Sequence, residues 1–166
     1  MSRGFVKEGD QEDIPVLTPR AHLPEGVDNY VTQVGMDLLL EERRSLNDEK
    51  DSLSILDDDE RRIAVNHINA KLQQLNERIA TAKVVNLEDQ SPDKVWFGAK
   101  VTLQVEGETG RQVYQIVGVD EADADVGKIS FIAPIARSLL GKEVGDTAVL
   151  KHLNGLKRFE ILDITY

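Results

Sequence analysis

The chain has no cysteine among its 166 residues. Disulfide frameworks, zinc-thiolate sites and thiol nucleophiles are therefore excluded, and nothing points to an oxidising compartment. Aromatic residues make up only 5%, too few to suggest a broad apolar substrate pocket. Basic residues are also scarce: 20 Lys and Arg stand against 30 Asp and Glu, a formal net charge of -10. That balance disfavours strong independent nucleic-acid binding, which draws on clustered Lys and Arg, and suits a basic protein surface or a metal ion better. Apolar runs such as Met36-Asp-Leu-Leu-Leu40 fall far short of the roughly 20 residues needed to span a bilayer. The N-terminus lacks the apolar core of a signal peptide, so the expectation is a cytoplasmic protein with no membrane partner.

Chemical motifs are equally sparse. His22, His67 and His152 lie in three different segments, without the His-x-x-x-His spacing of a preformed metal cage. Gly107-Glu-Thr-Gly110 lacks the lysine of a phosphate-binding loop, and there is no nucleophile elbow. Asp120-Glu-Ala-Asp-Ala-Asp125 lacks the central glycine and terminal glutamate of a calcium-binding helix-loop-helix and reads as a polar loop.

The hydropathy pattern, by contrast, is informative. Residues 1–29 are polar and carry Pro15, Pro19 and Pro24, which reads as an extended or disordered tail. From Tyr30 a helical stripe runs through Met36, Leu39, Leu46 and Leu53, with Arg43 and Lys50 at intervening seam positions. A second stripe, Ala64, Ile68, Leu72, Leu75, Ile79 and Ala82, advances in steps of four and three, the seam of a coiled coil. Two stripes joined by a short polar link without Gly or Pro predict an antiparallel helical hairpin over residues 30–86. Its arms of roughly 20 residues would extend on the order of 30 Å.

A linker at 87–94 follows, with Pro92 stopping any helix. Beyond it the period becomes two: Val95 and Phe97, then Val101, Leu103 and Val105, a turn at Gly107 to Gly110, and a strand from Val113 to Val117. A short helix after Pro134 stops at Gly141, and strands at 147–150 and 158–166 meet around Asn154-Gly155. In the last strand Phe159 and Ile161 have one parity and Leu162, Ile164 and Tyr166 the other, which predicts a bulge or burial on both faces. The fold class is α+β: a coiled-coil hairpin, then a small antiparallel β domain with one short helix at 95–166.

At the far end of the hairpin lies Asp51-Ser-Leu-Ser-Ile-Leu-Asp-Asp-Asp-Glu-Arg-Arg62. Ser54 with Asp57, or Asp57 with Glu60, has capping-box spacing, and acids at a helix N-terminus meet the macrodipole favourably. Three aspartates and a glutamate in succession exceed what a cap requires. An exposed cluster of hard oxygen ligands is also suited to sharing a Mg²⁺ held elsewhere. The candidate functional residues at this tip are Asp57, Asp58, Asp59 and Glu60, with Asp51 next; Asp57 and Glu60 are the candidate metal ligands.

Five ordered segments of the C-terminal part carry a resemblance: Val95-Trp-Phe-Gly-Ala-Lys-Val-Thr102, Tyr114-Gln-Ile-Val-Gly-Val-Asp-Glu-Ala-Asp123, Ile129-Ser130, Pro134-Ile-Ala-Arg-Ser-Leu-Leu-Gly-Lys142, and Phe159-Glu-Ile161 with Tyr166. In order and spacing they resemble the C-terminal domain of the bacterial GreA/GreB transcript-cleavage factors. Tyr30-Val-Thr32 with Gly35 is similar to the start of that family's first helix, and Ile79 to Val85 to the end of its second.

The resemblance implies an FKBP-like fold for 95–166 and docking of that domain on bacterial RNA polymerase near its secondary channel. The docking candidates it supplies are Asp120, Glu121, Ala122 and Asp123, with Pro134, Ile135, Ala136 and Arg137. It further implies a hairpin reaching towards the polymerase active centre and the 3′ end of the nascent RNA, with no cofactor of its own beyond Mg²⁺ held jointly with the polymerase. Such a factor is not catalytic alone; it stimulates or inhibits the polymerase. In the family's Gly-Asp-x-x-Glu-Asn-Ala tip motif the Asp falls on Asp51, but the Glu falls on Ser54 and the Asn on Ile55. The Asp-x-x-Glu spacing recurs as Asp57-x-x-Glu60, and the chain from Thr32 to the tip is several turns shorter than in cleavage-competent members. The alternative is a non-cleaving protein-interaction arm that binds through its seam and whose tip acids serve only as helix caps.

Overall fold

The computed structural model of the protein describes residues 15–55 and 57–166, apart from the Ile55 side chain. Residues 1–14 of the expected tail, and Leu56 at the tip, lie outside the described residues. From residue 15 the chain has no regular secondary structure as far as a turn at 25–26, and then enters strand β1 (Asn29–Val31).

Helix α1 (Gln33–Ser52) begins at Thr32, whose hydroxyl accepts the Gly35 backbone N–H at 2.9 Å. This satisfies one of the donors that every helix start leaves unpaired. Helix α2 (Asp58–Thr81) runs back and passes directly into β2 (Ala82–Val84), which pairs in parallel with β1. The stripes meet as their spacing requires: Leu39 and Leu46 of α1 are buried with Ile68, Leu72 and Leu75 of α2, and Met36, Leu53, Ile79 and Ala82 flank them. Each such buried aliphatic side chain contributes about 1.5–3 kcal/mol relative to exposure. The seam is not wholly apolar, because Lys50 donates to Asn69 across the pair at 2.8 Å. That contact helps fix which residues lie opposite each other. The β1-β2 ladder was not visible in the apolar pattern, since three-residue strands are too short to show a period.

The remaining strands, β3 (Lys100–Val105), β4 (Arg111–Val117), β5 (Lys128–Ser130), β6 (Thr147–His152) and β7 (Gly155–Thr165), form one sheet in the order β5-β4-β3-β7-β6. Neighbours are antiparallel except β4 and β5, which run parallel. Helix α3 (Pro134–Leu139) starts on its proline and buries Ala136 and Leu139 against the sheet. Val101, Leu103 and Val105 alternate inward with Phe159, Ile161 and Ile164.

The parity slip in the last strand is a bulge. Thr102 lies opposite Asp163 and Leu103 opposite Ile161, so Leu162 is the extra residue and both apolar phases face the core. Two sequence expectations differ from the structure. Val95 to Phe97 is irregular chain leading from a bridge at Lys94 into a turn, rather than strand, held by Val95 N–H donating to the Lys142 carbonyl and Gly141 N–H donating to the Val95 carbonyl. β5, read only as part of a motif, is a strand because Gly127, in the left-handed region at φ 72°, turns the chain onto β4.

Candidate functional site

The tip follows from capping chemistry. Asp57 is the N-cap of α2, and its Oδ1 accepts the backbone N–H groups of Asp59 (3.1 Å) and Glu60 (3.0 Å). Asp58, Asp59 and Glu60 occupy the first turn, at the positive end of the helix dipole. Asp58 pairs with Arg61, and Asp59 lies 3.8 Å from Arg62. Both acids are at least nine-tenths exposed, so these one-turn pairs add at most about 0.5 kcal/mol each. Glu60 enters no salt bridge among the described residues, and neither does Oδ2 of Asp57. Asp51 sits exposed in the last turn of α1, across the Leu53–Ile55 single-turn helix from Asp57.

Among the described residues, no group of three or more His, Asp or Glu side chains converges as a metal cage. At the tip, the Glu60 carboxylate and Oδ2 of Asp57 are thus left facing solvent, while Oδ1 of Asp57 is committed to the cap.

The other end of the hairpin is a polar joint to the sheet domain. Glu121 is buried, with its side chain 3% exposed; Oε2 accepts the Thr32 hydroxyl at 2.5 Å and Oε1 accepts Lys128 Nζ at 3.0 Å. Thr32 thus caps α1 and ties it to the β4-β5 loop at once. Gly35 leaves room for this contact, since a Cβ there would lie 2.8 Å from Glu121 Oε2. Gly118 is required next door, where a Cβ would meet the Tyr30 carbonyl oxygen at 2.6 Å. Tyr30, Phe97 and Phe131 close the joint, their ring centroids 5.6 to 5.9 Å apart.

Asp120 lies between two guanidinium groups, Arg20 from the N-terminal segment (3.0 Å to Oδ1) and Arg78 from α2 (2.9 Å to Oδ2). The Arg78 contact is an ion pair without an aligned hydrogen bond. Arg20 also forks onto Glu42 of α1 at 2.8 and 3.0 Å. The hydrogen bond to Glu42 raises the Arg20 pKa, burial opposes this, and the Asp120 charge reinforces it.

These contacts narrow the docking candidates. Asp120 and Glu121 are engaged inside the molecule, Ala136 is wholly buried and Ile135 packs against the core. Ala122, Asp123, Pro134 and Arg137 remain exposed, although Asp123 also caps the turn at Ala124–Val126 by accepting Asp125 N–H at 3.0 Å. The inward acids shape the exposed surface instead of forming it. Sequence reasoning missed Arg20, Thr32, Glu42, Arg78 and Lys128 as the joint; the one signal was adjacent acids directly after a buried strand, where a carboxylate needs a partner.

Comparisons with known proteins agree with the motif reading. Residues 81–166, just over half of the chain, match the family model described as "Transcription elongation factor, GreA/GreB, C-term". The chain is 43% identical over 99 residues to transcription elongation factor GreA of Maricaulis maris, covering 60% of this chain and 63% of that protein. It is 43% identical over 103 residues to GreA of Rhizobium leguminosarum bv. trifolii, covering 62% and 65%. The chain thus spans a little under two thirds of the length of the relatives it matches. Among solved structures, Gfh1 of Thermus thermophilus aligns at 21% identity and TM-score 0.39, over 84% of this chain and all of that one. A GreA/GreB factor of Nitrosomonas europaea aligns at 22% identity and TM-score 0.42, over 82% and 98%. With its C-terminal domain matched from end to end, the chain belongs to the GreA/GreB transcription elongation factor family.

Proposed function

We propose that the protein regulates transcription elongation by binding bacterial RNA polymerase through its sheet domain, near the secondary channel, and directing the acidic tip towards the active centre. One observation carries this reading: a domain of the elongation-factor family is joined, through buried polar contacts, to a two-helix arm whose far end gathers four consecutive acids.

Three features of the chain fit the role. The exposed Ala122, Asp123, Pro134 and Arg137 offer a contact surface beside the joint. The arm is stiffened by its apolar seam, so the tip is held at a set distance from the base; α2 alone extends about 36 Å at 1.5 Å per residue. At the tip, the Glu60 carboxylate and Asp57 Oδ2 fit as supplementary oxygen ligands for a Mg²⁺ shared with the polymerase, and do not form a cage by themselves. When bound, such an ion supplies Lewis-acid activation of water at a phosphodiester. The chain's own contribution is to position two carboxylates and to place negative charge beside the nascent RNA 3′ end.

The test is a stalled, backtracked elongation complex of purified bacterial polymerase, with shortening of the RNA as readout. The expected result is a changed rate of 3′ RNA release with the intact protein, lost in the Asp57→Ala/Glu60→Ala variant. Acceleration assigns cleavage stimulation, and slowing assigns inhibition. A second reading, a non-cleaving interaction arm, is favoured by the commitment of Asp57 Oδ1 to two backbone N–H groups. It predicts that the double variant behaves as wild type in both cleavage and elongation assays.

A further inference from the structure

The N-terminal segment lies outside the matched domain, yet it makes the longest-range polar contacts at the joint. We propose that residues 15–28 form a strap that fixes the direction of the helical arm relative to the sheet domain, with Arg20 as its latch.

The need for a latch follows from connectivity. Both strands of the base ladder belong to the arm side, β1 leading into α1 and β2 following α2. The arm is therefore tethered covalently to the sheet domain only through the segment between β2 and β3. One tether does not set an angle, so non-covalent contacts do so: the Thr32–Glu121 and aromatic contacts at the start of α1, and beside them the Arg20 cluster.

Arg20 is suited to this because it joins three elements at once. Nη1 and Nη2 donate to Glu42 on α1, and Nε donates to Asp120 Oδ1 at 3.1 Å in the sheet domain. Arg78 of α2 completes the cluster by donating to the Ala21 carbonyl of the strap while facing Asp120. Residues Pro19 to Leu23 line one groove together with Gln74 and Arg78 of α2, so the strap runs beside the helix near its base.

The charges show which part is permanent and which releases. Two guanidinium groups and two carboxylates balance. The Asp120 and Arg78 side chains are only 8% and 13% exposed, whereas Glu42 is 45% exposed. When Arg20 departs, Glu42 is rehydrated, while Asp120 keeps the Arg78 ion pair but loses the hydrogen bond to its Oδ1. The strap is thus a restraint on where the tip points, and its loss leaves the Asp120–Arg78 pair in place.

The absence of cysteine allows a direct test on the full chain. Spin labels on Asp48→Cys near the tip and Lys151→Cys in the sheet domain, both exposed positions, report the distance distribution between arm and sheet. The expected result is a narrow single distribution that widens about twofold in Arg20→Ala. Arg20→Lys, which presents a point charge in place of a fork, gives an intermediate width. Amide exchange separates this from general destabilisation: Tyr30 and Val85 at the base exchange about tenfold faster in Arg20→Ala, while Leu103 in the sheet core is unchanged. Superimposable distributions for Arg20→Ala and wild type overturn the proposal, and so does equal acceleration at Leu103. Neither measurement involves polymerase, so either outcome leaves the proposed function to its own test.

Discussion

Replacing Glu121 by alanine tests the joint on which the arm's placement depends. The substitution removes the acceptor of the Thr32 hydroxyl and the partner of Lys128 from a nearly dry position. A charge-assisted hydrogen bond contributes about 1.5–3 kcal/mol, and breaking a fully buried pair costs about 3–5 kcal/mol. Lys128 is 28% exposed and regains water, which removes much of the second penalty, leaving about 2–3 kcal/mol by the hydrogen-bond figures alone. Glu121→Gln keeps an acceptor and loses the charge, so its cost falls to about 1 kcal/mol.

Urea unfolding followed in two ways reads both size and place: far-UV circular dichroism reports the helices, and fluorescence of the single tryptophan, Trp96, reports the sheet domain. The expected outcome for Glu121→Ala is a lower midpoint and separation of two transitions that coincide in wild type, because the joint couples them. Gly35→Ala supplies an internal check. In wild type its Cβ crowds Glu121 Oε2 and cancels the helix-propensity gain of up to about 1 kcal/mol; in the Glu121→Ala background the gain should appear. A Glu121→Ala midpoint shift worth less than about 0.5 kcal/mol, with coincident transitions and no coupling to Gly35, would show that Glu121 does not hold the joint.

Four further outcomes are expected. Asp57→Ala removes the cap of α2 and lowers stability by about 1 kcal/mol, whereas Asp57→Ser does not, as thermal melts of helix ellipticity will show. Leu75→Ala, at a wholly buried seam position, costs about 2–5 kcal/mol and melts the hairpin before the sheet, again visible as separated dichroism and Trp96 transitions. Asp28 donates no proton at neutral pH and its carboxylate lies below the ordinary 3.8, held there first by the hydrogen bond from Lys83 and then by that from Tyr30. Its contribution is therefore present above pH 3.8 and lost as pH falls through the lowered folded value, and carboxyl-carbon NMR should show the midpoint moving back up in Lys83→Met. Tyr166 accepts Trp96 N–H and donates to the Lys94 carbonyl, and burial raises its pKa above 10.0 against the opposing backbone bond. Its contribution is full below pH 10.0 and fades as pH rises through the folded value; Tyr166→Phe should lose about 1 kcal/mol at pH 7 and flatten the alkaline fall in stability.

Periodicity made the hairpin legible because one apolar stripe per helix is the simplest pattern a two-helix seam can leave. Leu39, Leu46, Ile68, Leu72 and Leu75 are the buried seam, and the polar link without Gly or Pro proved to hold an aspartate cap. The bulge at Leu162 was legible as a change of parity in β7. What was not legible depends on partners distant in sequence and without a period. Arg20 and Asp120 are a hundred positions apart, and Thr32 and Glu121 meet only after the whole hairpin has been traversed. The tip acids lay between these extremes: capping chemistry located Asp57, but the pairing of Asp58 and Asp59 with the next two arginines tempers the cluster's charge. The acids of the β4-β5 loop read as a polar loop and as docking candidates, whereas burial turned Asp120 and Glu121 inward to hold the arm.

The proposed function requires the arm to carry its acidic tip into the polymerase from a base held outside, and crosslinking from the tip reads this position. A photoreactive residue placed at Asp59 in the full chain, irradiated in a backtracked elongation complex, should join the protein to the polymerase wall of the secondary channel or to the RNA 3′ end. The same residue placed at Lys151 should yield neither product. Absence of any tip crosslink under conditions where the sheet domain is bound, or equal products from both positions, would contradict the account.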